Sequence, residues 1–421
     1  MDKRTFLKNL AFTGIASTAS FRAFSESLKV YENIPAATLA TDEDFWVKIR
    51  QGYKLKPDYI NLENGYYCFI PTETLENYIN HIREINYEAS WYFRTVQWDN
   101  KDKAAARLAA TFGGTADEVA ITRNATESLD IIISGFPWEK GDEAIFAEQD
   151  YGSIKNMFEL ASRRHGITNK IVDVPLHPKS DEEVVKIYED AIRPNTKLIM
   201  VSHMVNITGQ ILPVKKICDM AHRHGVDVML DGAHCIAHFD FKIDELNCDY
   251  YACSLHKWLS VPLGSGLLYV KKDKIKKIWP LLAPYELDHA NIKNLNHTGT
   301  HPVATDLAVN DALDYFEMVG AERKEARLRY LQRYWSDQVR NYPGIKVNTP
   351  EDPSRSCGIA NVGIEGMDPN EMAKTLMDKY KIYTVGINYA GVVGCRITPN
   401  IYTTPKELDV FVNALKEMAK A

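Results

Sequence analysis

The chain has 421 residues, 45% of them hydrophobic and 25% charged, the ordinary balance of a globular protein long enough for one large α/β unit and a smaller companion. A formal net charge of -6 supplies no basic stripe for nucleic acid, and no apolar stretch reaches the length of a membrane span. The seven cysteines (Cys68, Cys218, Cys235, Cys248, Cys253, Cys357 and Cys395) stand singly with no Cys-x-x-Cys pair, a pattern of buried small hydrophobes rather than a disulfide framework.

The N-terminus has a different character. Lys3-Arg4-Thr5-Phe6-Leu7-Lys8 precedes a run rich in Ala, Ser and Thr that extends to about Ser20. This order resembles a twin-arginine export signal, with a lysine in place of the first arginine, and implies a protein exported in folded form. Residues 1–30 are therefore expected to be an export leader, or else a disordered cytoplasmic tail.

Beyond it, Phe45, Trp46 and Ile49 have helical spacing, residues 59–62 read as a short strand, and Asn64-Gly65 as a turn. Residues 73–112 are charged, aromatic and helical in period, and Gly113-Gly114 stops them. Short apolar runs then alternate with amphipathic stretches, at 119–122, 143–146, 170–174, 198–202, 227–231, 250–254 and 266–270. Continuous β-rich runs separated by helices predict an α/β fold with a mostly parallel central sheet and helices on both faces. Residues 304–341 read as one long helix or two. Short strands follow at 345–347, 358–362 and 382–385, and a closing helix spans 405–419. The expected division is a large domain over 31–300, N-terminal arm included, and a connecting helix with a small C-terminal α+β domain over 301–421.

Ligand chemistry in such sheets gathers at the carboxyl ends of the strands. Ser254-Leu255-His256-Lys257-Trp258 puts a lysine there. Alone it reads as an exposed surface group, but a desolvated lysine has a lowered pKa and attacks carbonyls. The preceding strand ends in Asp231, followed by Gly232-Ala233-His234. Asp-Gly-Ala-His followed by Ser-x-His-Lys resembles the signature of the class V aminotransferase family, in its isopenicillin N epimerase-like branch. The resemblance extends in order over about residues 62–418.

That resemblance implies the fold type I architecture of pyridoxal-phosphate (PLP) dependent transferases, with Lys257 carrying PLP as a Schiff base and Asp231 against the pyridine nitrogen. Thr122-Arg123-Asn124-Ala125-Thr126-Glu127-Ser128 follows a strand and opens a helix, so Ala125 and Thr126 are implied to cradle the phosphate, with Ser254 and His256 closing the cup. The same segment also reads as a plain N-cap box. Tyr151 is implied to stack on the ring and Asn206 to approach its phenolic oxygen, with His234 nearby. In His297-Thr298-Gly299-Thr300-His301-Pro302, Thr300 matches a residue lent to a neighbouring subunit's phosphate, which implies a homodimer. In Gly394-Cys395-Arg396-Ile397-Thr398, Arg396 matches the family's grip on the substrate carboxylate, a role that suits its planar fork.

The implied activity is chemistry at Cα of an amino-acid substrate, with Lys257 as general base and with transamination or epimerisation as the outcome. A cysteine lyase, or a non-catalytic exported binding protein on the same fold, remains an alternative. Desulfurases of this family carry a cysteine on a loop ahead of the carboxylate arginine. Here residues 386–394 have none, and on a strand Cys395 would face away from Arg396. His234-x-x-x-His238 is half a zinc spacing without further ligands, so no metal is expected.

Overall fold

A computed structural model describes residues 23–284 and 288–420. The segment Lys3–Lys8, expected from the sequence to open an export leader, lies outside the described residues. Residues 23–28 are helical and Leu28 is buried in the main core, so the folded body begins before residue 31.

Seven strands form the central sheet: β2 (Val119–Thr122), β3 (Glu143–Ala147), β4 (Thr168–Val172), β5 (Thr196–Ser202), β6 (Asp227–Asp231), β7 (Tyr250–Ser254) and β8 (Gly266–Val270). Their order is β2-β8-β7-β6-β5-β3-β4, and β8 runs antiparallel to the other six. Every residue of β2, β6, β7 and β8 is buried, because helices cover both faces. Alternation assigns the faces: Val228 and Leu230 enter one apolar core, Met229 the other.

The C-terminal sheet contains β9 (Ile345–Val347), β10 (Ala360–Ile364), β12 (Val385–Tyr389) and β13 (Val392–Ile397), in the antiparallel order β12-β13-β10-β9. β12 and β13 make a tight hairpin through Ala390 (φ 50°) and Gly391 (φ 75°), the positive pair that a two-residue primed turn requires. Beyond the short strands expected at 345–347, 358–362 and 382–385, β13 adds the one that carries Arg396. A further short pair, β1 (Ile60–Asn61) with β11 (Ile382–Tyr383), runs parallel. The N-terminal arm, grouped with the large domain on sequence grounds, thus also pairs with the small one.

The expected helix at 304–341 is two, Ala304–Val319 and Ala321–Ser336, broken at Gly320 with φ 90°. The second helix ties the units together, with Leu328 in the main core and Leu331 and Trp335 in the C-terminal one. Likewise the 73–112 region is three helices, Thr72–Glu88, Ser90–Thr95 and Gln97–Phe112. No helix among the described residues is long and apolar enough to cross a membrane.

Candidate active site

A pocket of 250 Å³ opens where the parallel strands end and the C-terminal sheet approaches. Ala125, Thr126, Tyr151, Asn206, Asp231, His234, Ser254, His256, Lys257 and Arg396 all line it. Thr300 does not; it is exposed in the loop before the Ala304–Val319 helix.

Lys257 sits in the turn after β7, and its Nζ lies 3.0 Å from His234 Nε2. The indole of Trp258, which can only donate, points Nε1 at His234 Nδ1 at 3.4 Å. A neutral His234 that accepts at Nδ1 carries its proton on Nε2, and so faces Lys257 as a donor. An ammonium has no lone pair to receive that proton; a neutral amine does. Burial, followed by Lys257, holds the His234 imidazole well below its usual range. Burial likewise pushes the Lys257 amine down to about 8, against the opposing pull of Asp231.

Asp231 ends β6 in register with Ser202 on β5. One carboxylate oxygen accepts the Ala233 N–H at 2.9 Å. Burial raises its carboxyl, partly offset by that bond and by Lys257. The adjoining Gly232 is required by a close approach, since a Cβ there would meet the Tyr251 hydroxyl at 2.0 Å. Behind this pair lies Asp150, which sequence reasoning missed. It accepts from Ser202 Oγ at 2.6 Å and from the Ala147 N–H at 2.6 Å, and burial pushes its carboxyl up to about 7.

Ala125, which opens the helix Ala125–Gly135, also lines the pocket. Asn124 caps the helix, its side chain accepting the Glu127 N–H at 2.9 Å, so the cap and the cradle coexist. The Ala125 N–H donates to Ser254 Oγ at 2.9 Å, which leaves the Ser254 hydroxyl proton free for another acceptor. The buried Nδ1 of His256 has no hydrogen-bond partner. Burial, and then Lys257, hold this imidazole down at about 4. A helix N-terminus and a free hydroxyl proton, with the His256 ring at the pocket wall, could hold a phosphate. β8 supports this helix N-terminus from below: at Gly266 a Cβ would lie within 2.7 Å of three backbone atoms of Asn124.

Tyr151, at the N-cap of the helix Gly152–His165, lines this pocket and is 45% exposed. Arg396 on β13 enters from the C-terminal sheet and is bound by Glu63, another residue the sequence reading did not single out. A charged residue directly after the strand-like run 59–62 was the available signal. Cys395 faces away into the C-terminal core, its Sγ against the Pro369 carbonyl. His238 is structural, for its Nδ1 lies 2.7 Å from the His234 carbonyl, its Nε2 accepts the Gly358 N–H at 2.8 Å, and its ring stacks on Trp258 at 3.7 Å.

An α/β fold with a lysine, a buried carboxylate and a phosphate cup around one pocket defines a class of cofactor-dependent enzyme. The class V aminotransferase family model matches residues 74–409, so the chain belongs to that family. Isopenicillin N epimerase of Streptomyces clavuligerus is 25% identical over 88% of this chain and 97% of its own length. A probable cysteine desulfurase of Halalkalibacterium halodurans is 26% identical over 62% of this chain and 66% of its own. The apo cysteine desulfurase of Thermococcus onnurineus superposes with a TM-score of 0.79 at 18% identity, covering 89% of this chain and 98% of that one. The family is PLP-dependent, and the residues around this pocket fit that cofactor: a buried acid, a helix N-terminus with a free hydroxyl proton beside it, and a lysine amine held down by burial.

Proposed function

We propose that the chain is a PLP enzyme that moves the Cα proton of an amino-acid substrate, ending in epimerisation or transamination. The observation that carries this reading is a buried lysine amine, held down at about 8, and a buried carboxylate lining the same small pocket. When bound, the cofactor supplies an electron sink for charge developing at Cα. Asp231 would hold the proton on its ring nitrogen, and Tyr151 would cover one ring face. The helix N-terminus at Ala125 and Thr126, with Ser254 and His256, would take the phosphate. Lys257, released by the substrate amine, would accept the Cα proton, and Arg396 would hold the substrate carboxylate.

All seven cysteines are buried and none lines the pocket, so no thiol stands ready to accept sulfur from a substrate. This favours proton transfer over desulfuration. Thr300, exposed and outside its own pocket, is proposed to complete the phosphate cup of a second copy in a homodimer, an arrangement that sedimentation of the full chain tests. The Lys3-Arg4 leader supports action outside the cytoplasm.

The test is a panel of L- and D-amino acids offered to the PLP-loaded protein in heavy water. Deuterium at Cα with inversion identifies an epimerase; amino transfer to an α-keto acid identifies a transaminase. Elimination of the side chain with no exchange at Cα of recovered substrate would overturn the reading in favour of a lyase.

A further inference from the structure

We propose that Glu63 is a positioning residue that fixes which edge of Arg396 meets the substrate, a reading that rests on Arg396 as the carboxylate anchor. The two side chains form a buried pair, Arg396 10% and Glu63 6% exposed. Arg396 Nη2 donates to Glu63 Oε1 at 2.5 Å, and Nε donates to Oε2 at 3.2 Å. Glu63 therefore grips the side edge of the guanidinium. Nη1 donates to the Asn206 carbonyl at 3.3 Å.

A guanidinium carries five N–H donors, and these three bonds leave one hydrogen on each terminal nitrogen. Each terminal nitrogen keeps a hydrogen that a carboxylate can accept. Glu63 and an incoming carboxylate thus do not compete for the same hydrogens.

The arm that carries Glu63 is fixed to the strand that carries Arg396. Thr398 N–H donates to the Leu62 carbonyl at 2.8 Å, and the Asn64 N–H donates to Thr398 Oγ1 at 2.5 Å. The Tyr66 N–H holds Glu63 Oε1 at 2.9 Å. Gly65 lets the guanidinium lie against the turn, since a Cβ there would sit 2.8 Å from Arg396 Cζ. Desolvating an ion pair costs free energy that its own attraction does not always recover. Such a pair, edge-on and at the pocket wall, is retained for orientation. Because Glu63 balances the arginine's charge, the substrate carboxylate is selected by two directed hydrogens more than by net charge.

The experiment uses the PLP-loaded full chain and two probes, L-alanine and L-alaninamide, which differ only in the carboxylate. Each is titrated while the near-visible absorbance band of the bound cofactor is followed. Glu63→Gln is expected to keep the band, weaken L-alanine by about tenfold, or about 1.4 kcal/mol, and leave L-alaninamide unchanged. Glu63→Asp, which restores the charge, should recover part of the L-alanine affinity. Equal losses for both probes, no loss, tighter L-alanine binding or loss of the band in both variants would each overturn the proposal. Arg396→Gln separates the underlying assignment: if it keeps the band and does not weaken L-alanine selectively, the anchor role of Arg396 fails. If neither probe shifts the wild-type band, the proposal falls with the reading it rests on.

Discussion

The Lys257 amine and the His234 imidazole face each other 3.0 Å apart, and burial holds both below their usual ranges. Trp258, the residue after the lysine, fixes the histidine's tautomer from behind. The motif thereby holds an amine that burial makes easier to deprotonate than an ordinary lysine.

The pH dependence of cofactor loading follows. The Lys257 amine, held down at about 8, is the reactive form above that pH and is progressively protonated below it. The rate at which the apo protein binds PLP, read from the growth of the absorbance band, should fall about tenfold per pH unit below the midpoint and level off above it. A midpoint near the ordinary lysine value would contradict the depressed amine.

His234→Leu removes the proton donated to the amine and so destabilises its neutral form. The loading midpoint should move upward from about 8, with the band still attainable at higher pH. An unmoved midpoint assigns the shift to burial alone.

Asp150 makes stability depend on pH. Its carboxyl is pushed from 3.8 up to about 7, so between those values the folded state holds a proton the unfolded chain has released. Folding stability from this group therefore falls as pH rises through that window. Asp150→Asn should gain in melting temperature relative to wild type between about pH 5 and pH 8. A difference independent of pH would show that Asp150 ionises normally.

Gly266→Ala pushes a Cβ into the Asn124 backbone, which has no side-chain slack to give. Overpacking of this kind costs roughly 1–3 kcal/mol. Because Asn124 opens the helix that forms the phosphate cup, PLP affinity should fall by about tenfold or more alongside the melting temperature. Titration of the apo variant with PLP measures it.

The central sheet was legible because its strands are buried on both faces. The runs at 119–122, 227–231, 250–254 and 266–270 match strands end for end, since continuous β-branched and apolar residues have no solvent face to disguise them. The site was legible for a related reason: its polar residues directly follow those runs. Glu63 was not, because its partner Arg396 is 333 residues away and only the closed fold joins them. Nor was the helix break at Ala89, which takes φ 50° without glycine. The division of 304–341 into two helices depended on Gly320, a residue that helix interiors sometimes tolerate.

The most direct test of the central claim is chemical. PLP-loaded protein is reduced with borohydride and digested, and the phosphopyridoxyl group is located by peptide mass. The label should fall on Lys257, and Lys257→Ala should show neither label nor band while remaining folded. A label on any other lysine, or a persistent covalent band in the alanine variant, would contradict the account.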